Sequence, residues 1–305
     1  VNETSRNVDL VHLHGLWQYP SFLTRRFQFE HRKPTLVSPH GMLEGWALRN
    51  SSWKKKLILR LFERKMLETA TCIHALNEKE LNDIRNLGLK NPVCILPNGV
   101  EDRNVSISVH KKNEVVFIGR LHPKKGLVNL IKAWSTMPEE ILNAWHLRII
   151  GWDDGGHERE LEALVRTMSL ERCVSMTGPL FGVEKQKVLD EGRLFVLPSK
   201  SEGLPIAVLE AWESGLPVIM TPQCNLDIGF RNGCAIQVDI TAESIAKGLL
   251  QFFDQTDREQ AEIGRKGKRL IAESFTWPRI AEQLLSVYQW IVKGDCPPSC
   301  VHLDA

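Results

Sequence analysis

Two cations and two carboxylates carry most of the chemistry this sequence can do. Arg120 follows Gly119, where an apolar run ends, and Lys125 precedes Gly126, where a helical stretch begins. An Arg and a Lys beside the amino end of a helix form a phosphate site, because fixed charge, forked donors and free backbone N–H groups converge there. The plain alternative is a surface-exposed basic loop. Further along, Ser201-Glu-Gly-Leu-Pro-Ile-Ala-Val-Leu-Glu210 follows the apolar run that ends at Pro198-Ser199. Glu202 lies in the loop, Gly203 and Pro205 shape the turn, and Glu210 lies inside the next helix. Two carboxylates at the mouth of a parallel sheet suit the vicinal hydroxyls of a ribose or hexose, whereas a lone glutamate at a helix start is a cap or dipole partner. A third group is His14-Gly15-Leu-Trp17 and His40-Gly41-Met-Leu43, which put a histidine before a glycine at two successive strand ends. Histidines so placed either face a ligand or serve the core. Trp17 and Tyr19 either stack on a ring or pack inside.

The elements that must position these residues are short apolar runs, each ended by Gly, Pro or polar residues. The first set is Asp9–Gly15, Pro34–Gly41, Cys72–Leu76 and Val93–Pro97. The second is Val115–Gly119, His146–Gly151, Val174–Gly178, Leu194–Pro198, Pro217–Thr221 and Ala235–Val238. Continuous apolar strands with helices between them mean a parallel sheet covered on both faces, so the fold class is α/β with two doubly wound domains. Helices are expected over Gly126–Trp134, Glu158–Met168, Glu184–Glu191, Ala207–Ser214, Ala242–Phe253 and Phe275–Val292. The join is expected at Pro97-Asn-Gly-Val100 and the polar stretch beyond it, since Asn98-Gly99 is a turn dipeptide. The expected division is 1–103, 104–275, a closing helix over 276–293 and a tail over 294–305. With two prolines, that tail is expected to fray.

Composition bounds the class. The 305 residues carry 39 Lys and Arg against 37 Asp and Glu, a net charge of +2, with 43% hydrophobic residues. These are the proportions of a folded globular chain, and the balance gives no case for nucleic acid binding. The charge is uneven, with 16 basic and 11 acidic residues through position 110 and 23 against 26 beyond it. The cleanest basic patch is Trp53–Lys65, whose cations interleave with Leu57, Ile58, Leu61 and Phe62. It reads as a basic amphipathic helix for an anionic membrane surface, or as a solvated helix face packed on the sheet. No window reaches the ~18 apolar residues of a spanning helix. The seven cysteines have no zinc spacing and only Cys296 and Cys300 lie close together, which favours reduced thiols over a disulfide or metal framework. Asp153-Asp154 are adjacent and give no metal signature.

Together, Gly119-Arg-Leu…Lys125-Gly126, Pro198-Ser199…Glu202-Gly203…Glu210-Ala211 and Gly215-Leu-Pro-Val218 resemble the retaining glycosyltransferases of family four, which have the GT-B fold: two Rossmann-like parallel-sheet domains facing a cleft. Ile95-Leu-Pro-Asn-Gly-Val100 looks like that family's interdomain segment, and Phe275-Thr-Trp277…Tyr288 like its closing helix. The resemblance covers essentially the whole chain. It implies that Gly119, Arg120 and Lys125 grip the diphosphate of a nucleotide-sugar. It implies that Glu210 holds the ribose, and that Glu202, Gly203 and Leu204 meet the donor sugar. Gly178 and Leu180 would meet the base, and Gly151–Gly156 lie nearby. On the first domain His40 would be the catalytic cleft histidine, with His14 and Trp17 at the acceptor. Members of the family start ahead of the point where this chain starts, so the N-terminal acceptor domain is expected to be incomplete.

The activity so implied is transfer of a hexose-type sugar, with retention, from a nucleotide diphosphate-sugar to a glycan or lipid-linked acceptor. The setting would be envelope or exopolysaccharide synthesis, at the cytoplasmic side of a membrane. Arg120 and Lys125 would stand where other enzymes place a metal ion, so neither metal nor cofactor is expected. The rival readings are an inactive nucleotide-sugar-binding fragment or scaffold, and a GT-B epimerase, which would not need both glutamates together with both cations.

Overall fold

The computed structural model describes residues 8–43, 63–103 and 111–303. The chain divides into two compact units, Val1–Asn98 with Trp277–Ala305, and Gly99–Thr276.

In the second unit six strands form one sheet: β5 Glu114–Ile118, β6 His146–Ile150, β7 Val174–Thr177, β8 Leu194–Leu197, β9 Val218–Met220 and β10 Ala235–Gln237, in the order β10-β9-β8-β5-β6-β7. Every pairing is parallel. Val115–Phe117 and Leu194–Leu197 are buried on both faces, which is why their sequences run apolar without alternation. The order has one consequence for function. From β5 the chain winds outward through β6 and β7, then returns to lay β8 on the other side of β5. A doubly wound sheet binds ligands outside the carboxyl ends of its strands at such a reversal, here between β5 and β8.

In the first unit β1 Val11–His14, β2 Thr35–Ser38, β3 Cys72–Ala75 and β4 Val93–Ile95 pair in parallel. The helices α1 Tyr19–His31, α2 Arg64–Thr69 and α3 Glu78–Asn86 connect them. A long helix, Trp277–Lys293, returns to this unit and buries Val287 against Leu36, Cys72, Cys94 and Leu96.

Two expectations are corrected. Residues 99–103 belong to the second unit: Val100 bridges Thr276, and Arg103 forks onto Asp190 at 3.0 and 3.1 Å and reaches Glu213. The tail does not fray throughout, because Val301–His302 add an antiparallel strand to the edge of β4 and the Ile95 N–H donates to the Cys300 carbonyl at 2.9 Å. A helix over Asp257–Ser274 follows a capping box in which Thr256 and Glu259 satisfy each other's backbone N–H. Of the basic stretch Trp53–Lys65, residues 53–62 lie outside the described residues; Arg64 and Lys65 open α2.

Candidate functional site

The carboxyl edge of the second sheet is built from loops that lock onto one another. Past β5 and β6, the Leu121 N–H donates to the Trp152 carbonyl at 2.9 Å and the Asp154 N–H to the Leu121 carbonyl at 3.2 Å. Past β8, the Lys200 N–H donates to the Lys124 carbonyl at 2.7 Å, tying the loop of Glu202 to the short 3-10 turn Pro123–Lys125. Gly126 ends that turn at φ +75° with its α-carbon pressed against the Pro198 carbonyl, where any β-carbon would collide. A side chain here is disfavoured twice, by the left-handed backbone and by space.

This locking brings Lys125 and Glu202 together across the reversal point. Lys125 Nζ lies 2.5 Å from Glu202 Oε1, with side-chain exposures of 12% and 9%. The Ser199 hydroxyl donates to the same oxygen at 2.6 Å, and the Asn225 amide holds the Glu202 carbonyl. The pair is thus fixed by its neighbours, not by its own flexible stems. Arg120 and Glu210 are placed differently. Arg120 donates to Asp154 at 2.9 Å on the exposed rim. Glu210, in the helix Ile206–Glu213, accepts from Lys185 at 2.6 Å. Asp154 and Lys185 are therefore counter-ions that the motifs did not announce. Asp153 is a cap, accepting from the Gly156 and Glu158 N–H groups, and these bonds hold its carboxyl below the usual range. Gly119 ends β5, Gly203 and Leu204 follow Glu202, and Gly178 and Leu180 follow the outermost strand β7, where Gly178 is exposed and Leu180 packs partly on the core.

The first unit has its own cluster at the carboxyl ends of β1 and β2. His14 Nδ1 lies 2.9 Å from His40 Nε2, with the rings stacked at 10°. His40 sits at φ +53° and Trp17 at φ +66°, uncommon for residues with side chains. Two buried carboxylates hold these turns. Glu80 accepts from the Gly41 N–H at 2.6 Å and the Leu76 N–H at 2.8 Å, and Glu63 accepts from the Trp17 N–H at 2.9 Å. Burial pushes both carboxyls up. For His40, loss of solvation and then His14 hold the imidazole below its ordinary range. Trp17 packs partly against the core, while Tyr19 is exposed. Sequence reasoning missed Glu63 and Glu80. For Glu80 a signal existed: Asn77 three residues before it caps α3, accepting from the Glu80 N–H.

A groove of about 940 Å³ on this unit, lined by Phe22, Arg25, Phe29, Arg32 and Lys65, also touches Pro34 and Thr71. Those last two precede β2 and β3, so the groove lies at the amino edge, away from His14 and His40; among the described residues its lining includes Lys65 of the basic stretch but none of the candidate catalytic, donor or acceptor residues.

Comparisons with known proteins bear on the fold and the family. Residues 100–270 match the family glycosyl transferases group 1, and residues 3–99 match the glycosyl transferase 4-like domain. WcaL of Escherichia coli K12, a protein named for colanic acid biosynthesis, is 29% identical over 185 residues, 58% of this chain and 45% of WcaL. The chain thus spans about half the length of that relative. The O-antigen biosynthesis glycosyltransferase WbnH of Escherichia coli is 27% identical over 261 residues, 82% of this chain and 68% of WbnH. Among solved structures, Anabaena HepE in complex with UDP and glucose superposes with a TM-score of 0.76 at 18% identity, covering 92% of this chain and 78% of HepE. The two parallel-sheet units share the GT-B fold with that structure.

Proposed function

The chain belongs to the glycosyl transferases group 1, and from that premise we propose that it transfers a hexose-type sugar, with retention, from a nucleotide diphosphate-sugar to a glycan or lipid-linked acceptor. The observation that carries the reading is the Lys125–Glu202 pair at the reversal between β5 and β8. A cation and a carboxylate held ready, nearly dry and at a ligand-binding edge, match the two halves of such a donor. One half is anionic diphosphate and the other is a ring of hydroxyls.

The residues divide the work. When donor enters, Lys125 exchanges Glu202 for phosphate oxygen, and Glu202 turns its freed oxygen to the sugar hydroxyls. Arg120 makes the same exchange from Asp154, and Glu210 trades Lys185 for the ribose diol. Gly178 and Leu180 meet the base through backbone and apolar contact. As the bond from the anomeric carbon to phosphate breaks, its electron pair leaves with the diphosphate. Arg120 and Lys125 stabilise that growing charge, at about 3 kcal/mol for each preorganised donor. A bond from the acceptor oxygen replaces the one lost, and the proton of that hydroxyl passes to a phosphate oxygen of the departing diphosphate. On the first unit His40, kept neutral, can take a hydrogen bond from a hydroxyl, with His14 and Trp17 on the acceptor side. The reading asks for no metal and no cofactor.

Envelope or exopolysaccharide synthesis is the proposed setting, supported by the name of WbnH. Contact with the inner face of a membrane is supported by the run of cations over Trp53–Lys65 in the sequence. The test is a transfer assay with UDP- and GDP-sugars and lipid-linked glycan acceptors. Wild type should turn over one donor, and Lys125→Ala and Glu202→Ala should each lose activity about 10²–10³-fold while remaining folded. Unchanged turnover in either variant would remove the assignment.

A further inference from the structure

Behind His14 and His40 runs a chain of hydrogen bonds whose protons have only one consistent order. His74 Nε2 lies 2.7 Å from the Leu96 carbonyl oxygen. A carbonyl only accepts, so Nε2 carries the proton, and in a neutral ring Nδ1 is then an acceptor. His74 Nδ1 lies 2.7 Å from the Ser38 hydroxyl, which must donate to it. With its one proton spent, Ser38 Oγ accepts from His12 Nε2 at 2.7 Å. His12 Nδ1 is left an acceptor, and the Tyr288 hydroxyl, 2.6 Å away, donates to it. The acceptor-only end thus sets two tautomers and two hydroxyl directions, across β2, β3, β1 and the helix Trp277–Lys293.

The chain ends beside the candidate site. The His12 ring lies 4.0 Å from the His14 ring, and His14 bonds to His40. The titratable groups facing His12 are His14, His40 and His74 with Tyr288, and Cys94 faces Tyr288. Burial, followed by those three imidazoles, lowers His12 to about 3, and burial lowers His74 to about 4. Both are therefore neutral at neutral pH, as the proton order requires.

We propose that Tyr288 is a positioning residue. Its hydroxyl fixes His12 as a neutral ring of one tautomer, and His12, packed 4.0 Å from the His14 ring, in turn fixes the orientation of the His14–His40 pair. The helix that returns to the first unit thereby takes part in the site without touching substrate. This role in transfer rests on the proposed function, but the hydrogen-bond order does not.

The test reads the imidazoles directly, by long-range proton–nitrogen NMR of the full chain labelled with ¹⁵N-histidine. In wild type at neutral pH, His12 and His74 should both be neutral Nε2–H tautomers. Tyr288→Phe keeps the ring packing and removes only the donor. His12 should then titrate at higher pH, and the His14 and His40 signals should move. In the transfer assay the acid limb of the kcat profile should shift upward in pH, with KM for donor unchanged. A role in packing alone would alter melting and leave that limb in place. Ser38→Ala, which cuts the chain at its middle, is the second variant and should move the same signals. The proposal is overturned by a wild-type His12 that is cationic or Nδ1–H at neutral pH. It is equally overturned by a folded Tyr288→Phe that leaves the His12 and His14 signals in place. Neither outcome depends on whether the chain transfers sugar.

Discussion

Lys125 and Glu202 each leave a nearly buried charge unpaired when the other is removed. Lys125→Met or Glu202→Gln alone should therefore destabilise the protein, by about 1–3 kcal/mol, whereas the double substitution should cost less than the sum. A double-mutant cycle in urea measures that coupling. Lys125 and Glu202 were legible because motif and spacing mark them, but their direct contact was not, since it depends on the β5–β8 reversal. Glu63 was illegible for a related reason, since it acts on the Trp17 N–H, 46 positions away. Glu80 left a partial signal in the Asn77 cap and reaches the nearby Leu76 N–H, but its hold on the Gly41 N–H, 39 positions away, is recorded by no local pattern. The imidazoles also make a pH prediction. His12 and His74 bind protons less readily folded, at about 3 and about 4, than unfolded near 6.5. The unfolded chain therefore takes up more protons as pH falls from 6.5 toward 4, and stability falls with it. The raised carboxyls Glu63 and Glu80 act in the opposite sense just above their ordinary range. His12→Asn should therefore show a shallower acid loss of melting temperature than wild type. An equal slope would contradict the assignment.

At the scale of elements, the ten apolar runs became ten strands. Those in the sheet interiors, such as Thr35–Ser38, Cys72–Ala75 and Leu194–Leu197, are buried on both faces and need no alternating pattern to declare themselves, while the edge strands Val11–His14, Val174–Thr177 and Ala235–Gln237 are only partly buried. The helix Asp257–Ser274 was less visible, although Thr256 and Glu259 spell a capping box. It packs through glycine notches as well as through Leu270 and Ile271. Gly264 sits against the Gly215 carbonyl and Gly267 against the Trp212 ring. Gly264→Ala should destabilise by about 1–3 kcal/mol through overpacking, read by chemical denaturation; a neutral effect would mean the notch is slack. The strand Val301–His302 escaped notice because two prolines precede it and its signal is the open edge of β4, a tertiary fact. Removing residues 294–305 should lower the melting temperature and promote association through that uncovered edge, which light scattering would report.

At the scale of the molecule, the two parallel sheets carry unlike equipment. The second unit gathers charge where its winding reverses, and the first gathers imidazoles at successive strand ends. The spacing of short apolar runs foretold the sheets, because it depends on short stretches of chain. The proton-ordered chain from Tyr288 to Leu96 was not foretold, because it joins residues up to 276 positions apart. Occupation of the second unit by a nucleotide should raise its stability by mass action, by about 2.7 kcal/mol at a hundredfold excess over Kd. Amide exchange should slow at Gly119–Gly126 and Ser199–Leu204. The most direct measurement is calorimetric titration of UDP and GDP into the full chain, beside Lys125→Ala. The account predicts that one of the two nucleotides binds wild type and that Lys125→Ala weakens it at least about tenfold, the loss of one charge-assisted hydrogen bond. Failure of both nucleotides to bind, or equal affinity in the variant, would contradict it.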